Sequence, residues 1–301
     1  MTGAMLLAAN RSSGPFADTI DATLELGAYE RLWCEQNASF KTIAEKLAQH
    51  PDARPSDFVP EDEARETGKR VVAKLRQRVN GWFNLRLYGE LDYPKRLRDA
   101  THPVELLYFQ GWWDLIDTPA VALVGTRKPS DNGIKRARKL ATSLVADGFT
   151  IVIGLAEGID TVAHETAIAE GGQTIGVIGT PLGQSYPKSN AELQAKIAEQ
   201  FLLVSQVPVE RYDAQNLTAN RFFFPERNKT MSALTLATII VEAGETSGTL
   251  IQAREALSQG RKLFILNNCF ENKKLSWPAK YESQGAIRVR DYDEIRRELV
   301  Q

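Results

Sequence analysis

The chain has 301 residues, of which 43% are hydrophobic and 25% charged, which is the composition of a globular protein with room for two domains. A formal net charge of −1 excludes a polycation that holds nucleic acid by overall charge, so any such contact must come from a local basic patch. Because we find neither an apolar run of about 18 residues nor a signal-peptide pattern, we expect no membrane span and no secretion. Two cysteines without metal-ligand spacing, Cys34 and Cys269, are typical of a reducing, cytoplasmic compartment.

The N-terminal part is predicted to hold a flexible segment, residues 1–16, and then a small helical domain, residues 17–80. Helical periodicity begins near Asp18, and two further helices are expected at residues 40–48 and from 61 to about 79. We interpret this domain as a helical packing or partner-docking module. A helix-turn-helix-like module is the alternative, because residues 39–47 form a compact, capped helix.

After Asn80-Gly81 the pattern changes to short apolar runs that alternate with amphipathic stretches, and we assign residues 83–301 to one domain. The predicted strands are residues 121–124, 149–153, 174–178, 201–204, 237–241 and 262–266. The first predicted helix of this domain begins near Ile134. Four further helices are predicted at residues 159–169, 191–199, 228–236 and 249–258. These strands are apolar throughout, so neither face of the sheet can be exposed to water and helices must cover both. This indicates an α/β fold, doubly wound and Rossmann-like, with a mostly parallel sheet. Ligands of such sheets bind beyond the carboxyl ends of the strands.

The first two strand-to-helix loops of this domain are rich in glycine. Gly125, Thr126 and Arg127 follow the first strand, and a free helix start with an arginine suits a phosphate. Gly154 opens the second loop, which continues into Asp160 and His164. We interpret His164 as a packed helical histidine, with a chemical role as the alternative.

Three later loops carry further candidates at the same edge. Lys188 can meet a phosphate, while the neighbouring Tyr186 can stack on a base or form a rigid loop wall. Three phenylalanines precede Arg227 and Asn228, a mixture of stacking faces and phosphate ligands. The last loop offers a phosphate nest from its amides and hydroxyls at Ser247, Gly248 and Thr249.

No hydrolytic constellation accompanies these loops. The three histidines lack metal-ligand spacing, and neither a Walker-type motif nor a nucleophile elbow is present. The carboxylates Glu157, Asp160 and Glu242 lie on the right loops without an assigned role. We therefore predict a binding protein with no catalytic residue, no metal and no cofactor.

The loop motifs together resemble the DNA-processing protein A family, DprA or Smf, over roughly residues 83–270. The motifs that carry the resemblance are Tyr93-Pro94, Val124-Gly125-Thr126-Arg127, Gly154-Leu155-Ala156 with Gly158-Ile159-Asp160 and Ala163-His164, Tyr186-Pro187, Phe224-Pro225 with Arg227-Asn228, and Ser247-Gly248-Thr249. The resemblance implies an extended Rossmann-like fold, a homodimer, no catalysis, single-stranded DNA in a basic pocket, and a RecA-type recombinase as partner. The pocket positions would be Arg127, Lys188, Arg227 and Asn228, with Gly125 and Gly154 shaping the backbone.

The chain also departs from the family pattern. Glu157 stands where the family usually has arginine, which weakens phosphate attraction, and Asn267-Asn268 replaces the usual Pro-Gly. We expect no C-terminal winged-helix domain, and the N-terminal helices differ from the usual ones.

Two alternatives to DNA binding follow. The acidified loop and the unusual helices suggest an antitoxin or regulatory partner of a cognate toxin in a phage-defence operon. The second is an enzyme similar to nucleoside monophosphate phosphoribohydrolases, by analogy of Glu242 and residues 247–249 with their phosphate loop.

Overall fold

The computed structural model describes residues 20–50, 53–100 and 102–300. The predicted flexible segment, residues 1–16, lies outside these ranges. Three helices open the described chain: α1 (Ala22–Trp33), α2 (Phe40–Ala48) and α3 (Glu61–Arg78), with a 3-10 turn at Pro55–Phe58. Helix α1 begins later than the periodicity predicted, because the Asp21 side chain accepts from the amides of Thr23 and Leu24 and caps it there.

Helices α1 and α3 cross in direct backbone contact. A Cβ on Gly27 would lie 1.8 Å from the carbonyl oxygen of Ala64, and one on Gly68 would lie 2.1 Å from that of Thr23. Only glycine permits this approach, which explains two glycines in the middle of helices that they otherwise destabilise.

The three helices pack on the rest of the molecule through a continuous core. Trp33 stacks edge-to-face on Phe40 with ring centroids 4.6 Å apart, and both rings contact Phe223. The buried Glu30 carboxylate accepts from the Tyr108 hydroxyl and from the amides of Val209 and Glu210. The division of the chain into two domains near residue 80 stays a prediction. The contacts above join the helices before this point to the residues after it.

A nine-stranded sheet forms the centre of the described chain. Its strands are β1 (Asn84–Leu87), β2 (Leu106–Gly111), β3 (Ala120–Gly125), β4 (Thr150–Ile153), β5 (Thr174–Ile178), β6 (Leu202–Ser205), β7 (Ala237–Glu242), β8 (Lys262–Leu266) and β9 (Ile287–Val289). The order is β1-β2-β6-β5-β4-β3-β7-β8-β9; the pairs β1–β2 and β2–β6 are antiparallel and the others parallel. The predicted α/β class and mostly parallel sheet are confirmed, and β1, β2 and β9 are additions.

Helices connect the strands. They are α4 (Lys95–Arg98), α5 (Asp131–Ala146), α6 (Ile159–Ala169), α7 (Ala191–Gln200), α8 (Val209–Ala214), α9 (Leu217–Asn220), α10 (Phe223–Leu234), α11 (Thr249–Ser258), α12 (Asn267–Glu271), α13 (Trp277–Glu282) and α14 (Tyr292–Leu299), with 3-10 turns at Trp113–Asp117 and Lys188–Asn190. The predicted start of α10 at Asn228 was wrong by five residues. Pro225 lies in its first turn, where a missing amide costs no helical hydrogen bond. No helix in the described part of the chain combines the length and apolarity needed to cross a bilayer.

The strand order creates a switch point beside β3. The chain runs from β3 through β4 and β5 to β6 on one side, and returns to the other side of β3 at β7. Neighbouring loops after β3 and β7 thus leave in opposite directions and open a crevice at the carboxyl edge of the sheet.

Candidate functional site

Two adjoining cavities occupy this carboxyl edge, and we call the edge with both cavities the rim. The first has a volume of about 660 Å³ and the second about 450 Å³. Eight of the ten predicted site residues line the first cavity: Gly125, Thr126, Arg127, Arg227, Asn228, Ser247, Gly248 and Thr249. Lys188 lines the second cavity together with Glu157 and Tyr186, and the two cavities share Arg127, Ala156, Phe224 and Arg227. The structure therefore brings the three predicted cations to one place.

The loop after β3 is held by a carboxylate at the end of β7. Glu242 accepts from the amide and hydroxyl of Ser130 at 3.0 and 2.7 Å, and its carbonyl accepts from the amide of Thr126 at 2.7 Å. The Ser130 hydroxyl in turn caps α5 through the amide of Gly133. Glu242 thus acts as a structural tie that fixes the Arg127 loop.

The predicted nest at residues 247–249 makes several of its bonds internally. The Thr249 hydroxyl donates to the carbonyl of Gly125 at 3.0 Å, and the Ser247 hydroxyl donates to that of Thr249. The amides of Ser247 and Thr249 are bonded to the Gly244 carbonyl and the Ser247 hydroxyl. Thr249 therefore ties this loop to β3. We expected its hydroxyl to be free to bind a phosphate, but its proton is already donated to the Gly125 carbonyl.

The three cations differ in exposure. Arg127 and Lys188 are exposed, and neither makes an ion pair with any residue of the described ranges. Arg227 is buried, and its guanidinium donates from Nη1 to the carbonyl of Val177 at 2.7 Å. Because a Cβ on Gly154 would lie 1.8 Å from this Nη1, glycine is required there. The structure thus makes Arg227 a buried part of the wall of both cavities, and its contact with a ligand stays a prediction.

Two buried titratable side chains accompany Arg227: Asp160, which lines the first cavity, and His164. Burial raises the pKa of Asp160 to about 6, against the opposing attraction of Arg227 and Arg127. Burial lowers the pKa of His164 to about 4. The His164 ring is bonded on both sides, from Nε2 to the Gly154 carbonyl at 2.7 Å and from Nδ1 to the Thr174 hydroxyl at 2.6 Å. These contacts fit the interpretation of His164 as a packed residue that positions the Gly154 loop.

Two aromatic rings line the second cavity, and one of them, Phe224, also lines the first. The rings of Tyr186 and Phe224 lie 5.3 Å apart, and Tyr186 is exposed while Phe224 is partly buried against Gly179. A π-face at a cavity mouth can receive a nucleobase.

Sequence reasoning missed the organiser of the second loop, Asn190. Its buried amide donates to the carbonyls of Leu155 and Ala156 and to the Thr161 hydroxyl. The signal available was weak, because asparagine before a predicted helix usually indicates a cap for that helix.

The strand order and the rim crevice define a protein of the extended Rossmann-like class. The family model of DNA recombination-mediator protein A matches residues 84–300, and the chain belongs to this family.

Curated relatives agree. Protein Smf of Synechocystis sp. is 33% identical over 265 residues, which are 80% of this chain and 64% of that protein. The DNA processing protein DprA of Streptococcus pneumoniae is 39% identical over 175 residues, which are 58% of this chain and 59% of that protein. The chain thus spans about three fifths of the length of these two relatives.

Solved structures show the same likeness. The X-ray structure of DprA from Streptococcus pneumoniae matches with a TM-score of 0.72 and 28% identity, covering 90% of this chain and 97% of that one. A structure of DprA from Helicobacter pylori, described for its single-stranded DNA binding mode, matches with a TM-score of 0.62 and 28% identity, covering 72% and 95%. The family resemblance and the Rossmann-like fold expected from the sequence are confirmed.

Proposed function

We propose that this chain binds single-stranded DNA along the rim without catalysing a reaction. The observation that carries the proposal is the convergence of two exposed cations, Arg127 and Lys188, on the second rim cavity beside the Tyr186 and Phe224 rings. Neither cation makes an ion pair with another residue that the structure describes. Cations that meet phosphates beside aromatic faces that meet bases are the usual means of holding a single strand. The likeness to the Helicobacter pylori protein supports the same ligand.

The geometry favours a role in binding over the phosphoribohydrolase alternative. Glu242, the carboxylate on which that analogy depends, is bonded to Ser130, and Thr249 is bonded to the Gly125 carbonyl. The antitoxin role, the homodimer and the RecA-type or toxin partner stay predictions.

The test is a titration of fluorescently labelled dT20 with the full chain, followed by anisotropy between 50 and 200 mM salt. Two cation–phosphate contacts predict that log K falls with log salt with a slope of about −1.4, because each contact to a single strand contributes about −0.7. A blunt-ended duplex of equal length is expected to bind more weakly, because its bases cannot reach the rings. Binding without salt dependence, or a preference for the duplex, would contradict the proposal.

The acidic residue on the second loop is expected to weaken this binding. Glu157 is exposed, lines the cavity with Arg127 and Lys188, and accepts from the Ser189 hydroxyl at 2.7 Å. Glu157→Gln keeps an acceptor for Ser189 and removes the charge, so we expect about two- to fivefold tighter binding of dT20 at 50 mM salt, and a smaller gain at 200 mM.

Glu165 supplies the matched control, because it is an exposed carboxylate on α6 that lines neither rim cavity. Equal gains from Glu157→Gln and Glu165→Gln would show that overall charge, rather than the loop, sets the affinity.

A further inference from the structure

A third cavity adjoins the rim. It has a volume of about 420 Å³ and shares Ser185 with the second rim cavity. Its other walls come from the end of α3, the segment before β1, the strands β2 and β6, the helix α7 and Gly183. Because the two cavities adjoin at Ser185, a strand bound in the second rim cavity has this cavity within reach.

Trp82 stands at this cavity as a half-exposed aromatic wall. Its side chain is 57% exposed, and its ring is fixed edge-to-face on Phe109 with centroids 5.9 Å apart. Gln110 donates to the carbonyls of Trp82 and Asn80 and fixes the backbone on both sides of Gly81. An indole that is held in place with an open surface is a stacking platform.

Two buried amides provide polar groups in the same cavity. Gln110 is 7% exposed and Gln194 is 6% exposed, and each directs its Nε2 to a backbone carbonyl, Gln194 to that of Gln184 at 3.1 Å. These bonds fix the orientation of both amides. Their Oε1 atoms accept no hydrogen bond from the described residues, so both remain as acceptors on side chains that line the cavity.

The charges in this cavity disfavour a phosphate. The guanidinium of Arg78 donates two bonds to the Asp213 carboxylate, at 2.9 and 2.8 Å, and is neutralised there. The other charged side chain that lines the cavity is Glu199, which repels phosphate oxygens. A neutral ligand with a flat face and N–H donors fits these walls.

We propose that the third cavity is a nucleobase subsite, in which a base of the bound strand stacks on Trp82 and donates to Gln110 and Gln194. This inference depends on the proposed binding of single-stranded DNA and extends its path from the second rim cavity into the third. Cytosine, adenine and guanine each carry an exocyclic amino group with two N–H donors, whereas thymine has no amino group and offers the single donor N3–H. The subsite therefore prefers the amino-bearing bases to thymine.

The test compares Trp82→Ala with Trp112→Ala in binding labelled dC20. Trp112 is the matched control, because it is 66% exposed and does not line the cavity. We expect Trp82→Ala to weaken binding at least fivefold with an unchanged salt slope, because a lost stack removes no phosphate contact. Trp112→Ala is expected to stay within twofold of the natural chain, and Trp82→Phe, which keeps a ring, is expected to retain most of the affinity.

The outcomes separate the subsite from the rim. If Trp82→Ala binds dC20 as the natural chain does while Arg127→Ala weakens binding, the subsite is wrong and the rim function stands. If Arg127→Ala has no effect but dC20 still quenches tryptophan fluorescence in a Trp82-dependent manner, the rim function is wrong and the subsite stands. Equal losses from Trp82→Ala on dC20 and dT20 would overturn the role assigned to the two glutamines.

Discussion

Arg127→Ala combined with Lys188→Ala is expected to lower the affinity for dT20 by about one hundredfold at 50 mM salt. Both side chains are exposed, line the second rim cavity and make no ion pair within the described ranges, so their cationic groups are available to phosphates. A hydrogen bond to a charged group contributes about 1.5–3 kcal/mol, and the loss of each contact therefore weakens binding by about tenfold or more. Anisotropy over a salt series measures both consequences: the affinity falls, and the salt slope moves from about −1.4 towards zero.

A matched double variant separates the rim from overall charge. Lys69 on α3 and Arg297 on α14 are exposed and line neither rim cavity, so Lys69→Ala with Arg297→Ala removes the same charge elsewhere. We expect this variant to keep its affinity within about threefold, because exposed charges that do not contact the ligand act on it only through solvent and are screened by salt. An equal loss in both double variants would contradict a localised rim.

Arg227 acts differently from these two cations. It is buried, bonded to Val177 and set against Gly154, so its guanidinium is a fixed positive group in the wall of both cavities. Burial lowers its pKa, while the nearby Asp160 acts in the opposite direction. Arg227 therefore supports the shape and potential of the rim, and its direct contact with a phosphate stays a prediction.

The parallel half of the fold could be predicted because its signals are local. Residues 121–124 form an unbroken apolar run that becomes the fully covered centre of β3, and residues 159–169 and 249–258 carry helical periodicity that matches α6 and α11. The edge strands had no such signal. β1 and β9 have four and three residues, and each pairs with one neighbour whose position is decided by the tertiary fold.

The site divides in the same way. Glycines after consecutive strands indicated the rim, because the carboxyl ends of parallel strands meet at one edge. The burial of Arg227 depends on Val177 in β5 and on Gly154 in the loop after β4, and the tie from Glu242 to Ser130 spans 112 residues. Contacts between segments that are far apart in the chain produce no periodic pattern in the sequence, so they could not be predicted from it. The Trp82 cavity was missed for the same reason, since α3, β2 and α7 build it together.

Acidification is expected to reduce the stability that His164 contributes. In the folded chain burial lowers the pKa of His164 to about 4, whereas an unfolded histidine titrates near 6.5. The unfolded chain therefore takes up the proton first, so this contribution is complete above pH 6.5 and is lost as the pH falls towards 4. The full difference corresponds to about 3 kcal/mol of unfolding free energy.

His164→Gln isolates this effect, because its amide can donate to the Gly154 carbonyl but does not titrate. Asp160 titrates in the opposite sense, since its raised pKa gives stability at low pH that is lost as the pH rises through about 6; being present in both proteins, it cancels in the comparison. Urea unfolding at pH 7.5 and 5.0 is expected to show the natural chain losing about 2 kcal/mol relative to the variant. His50→Gln, which removes an exposed histidine, is the control. If the difference in unfolding free energy between the natural chain and His164→Gln were the same at both pH values, His164 would not resist protonation. The ring that holds the Gly154 loop would then be charged, and the interpretation of a neutral, packed histidine would be wrong.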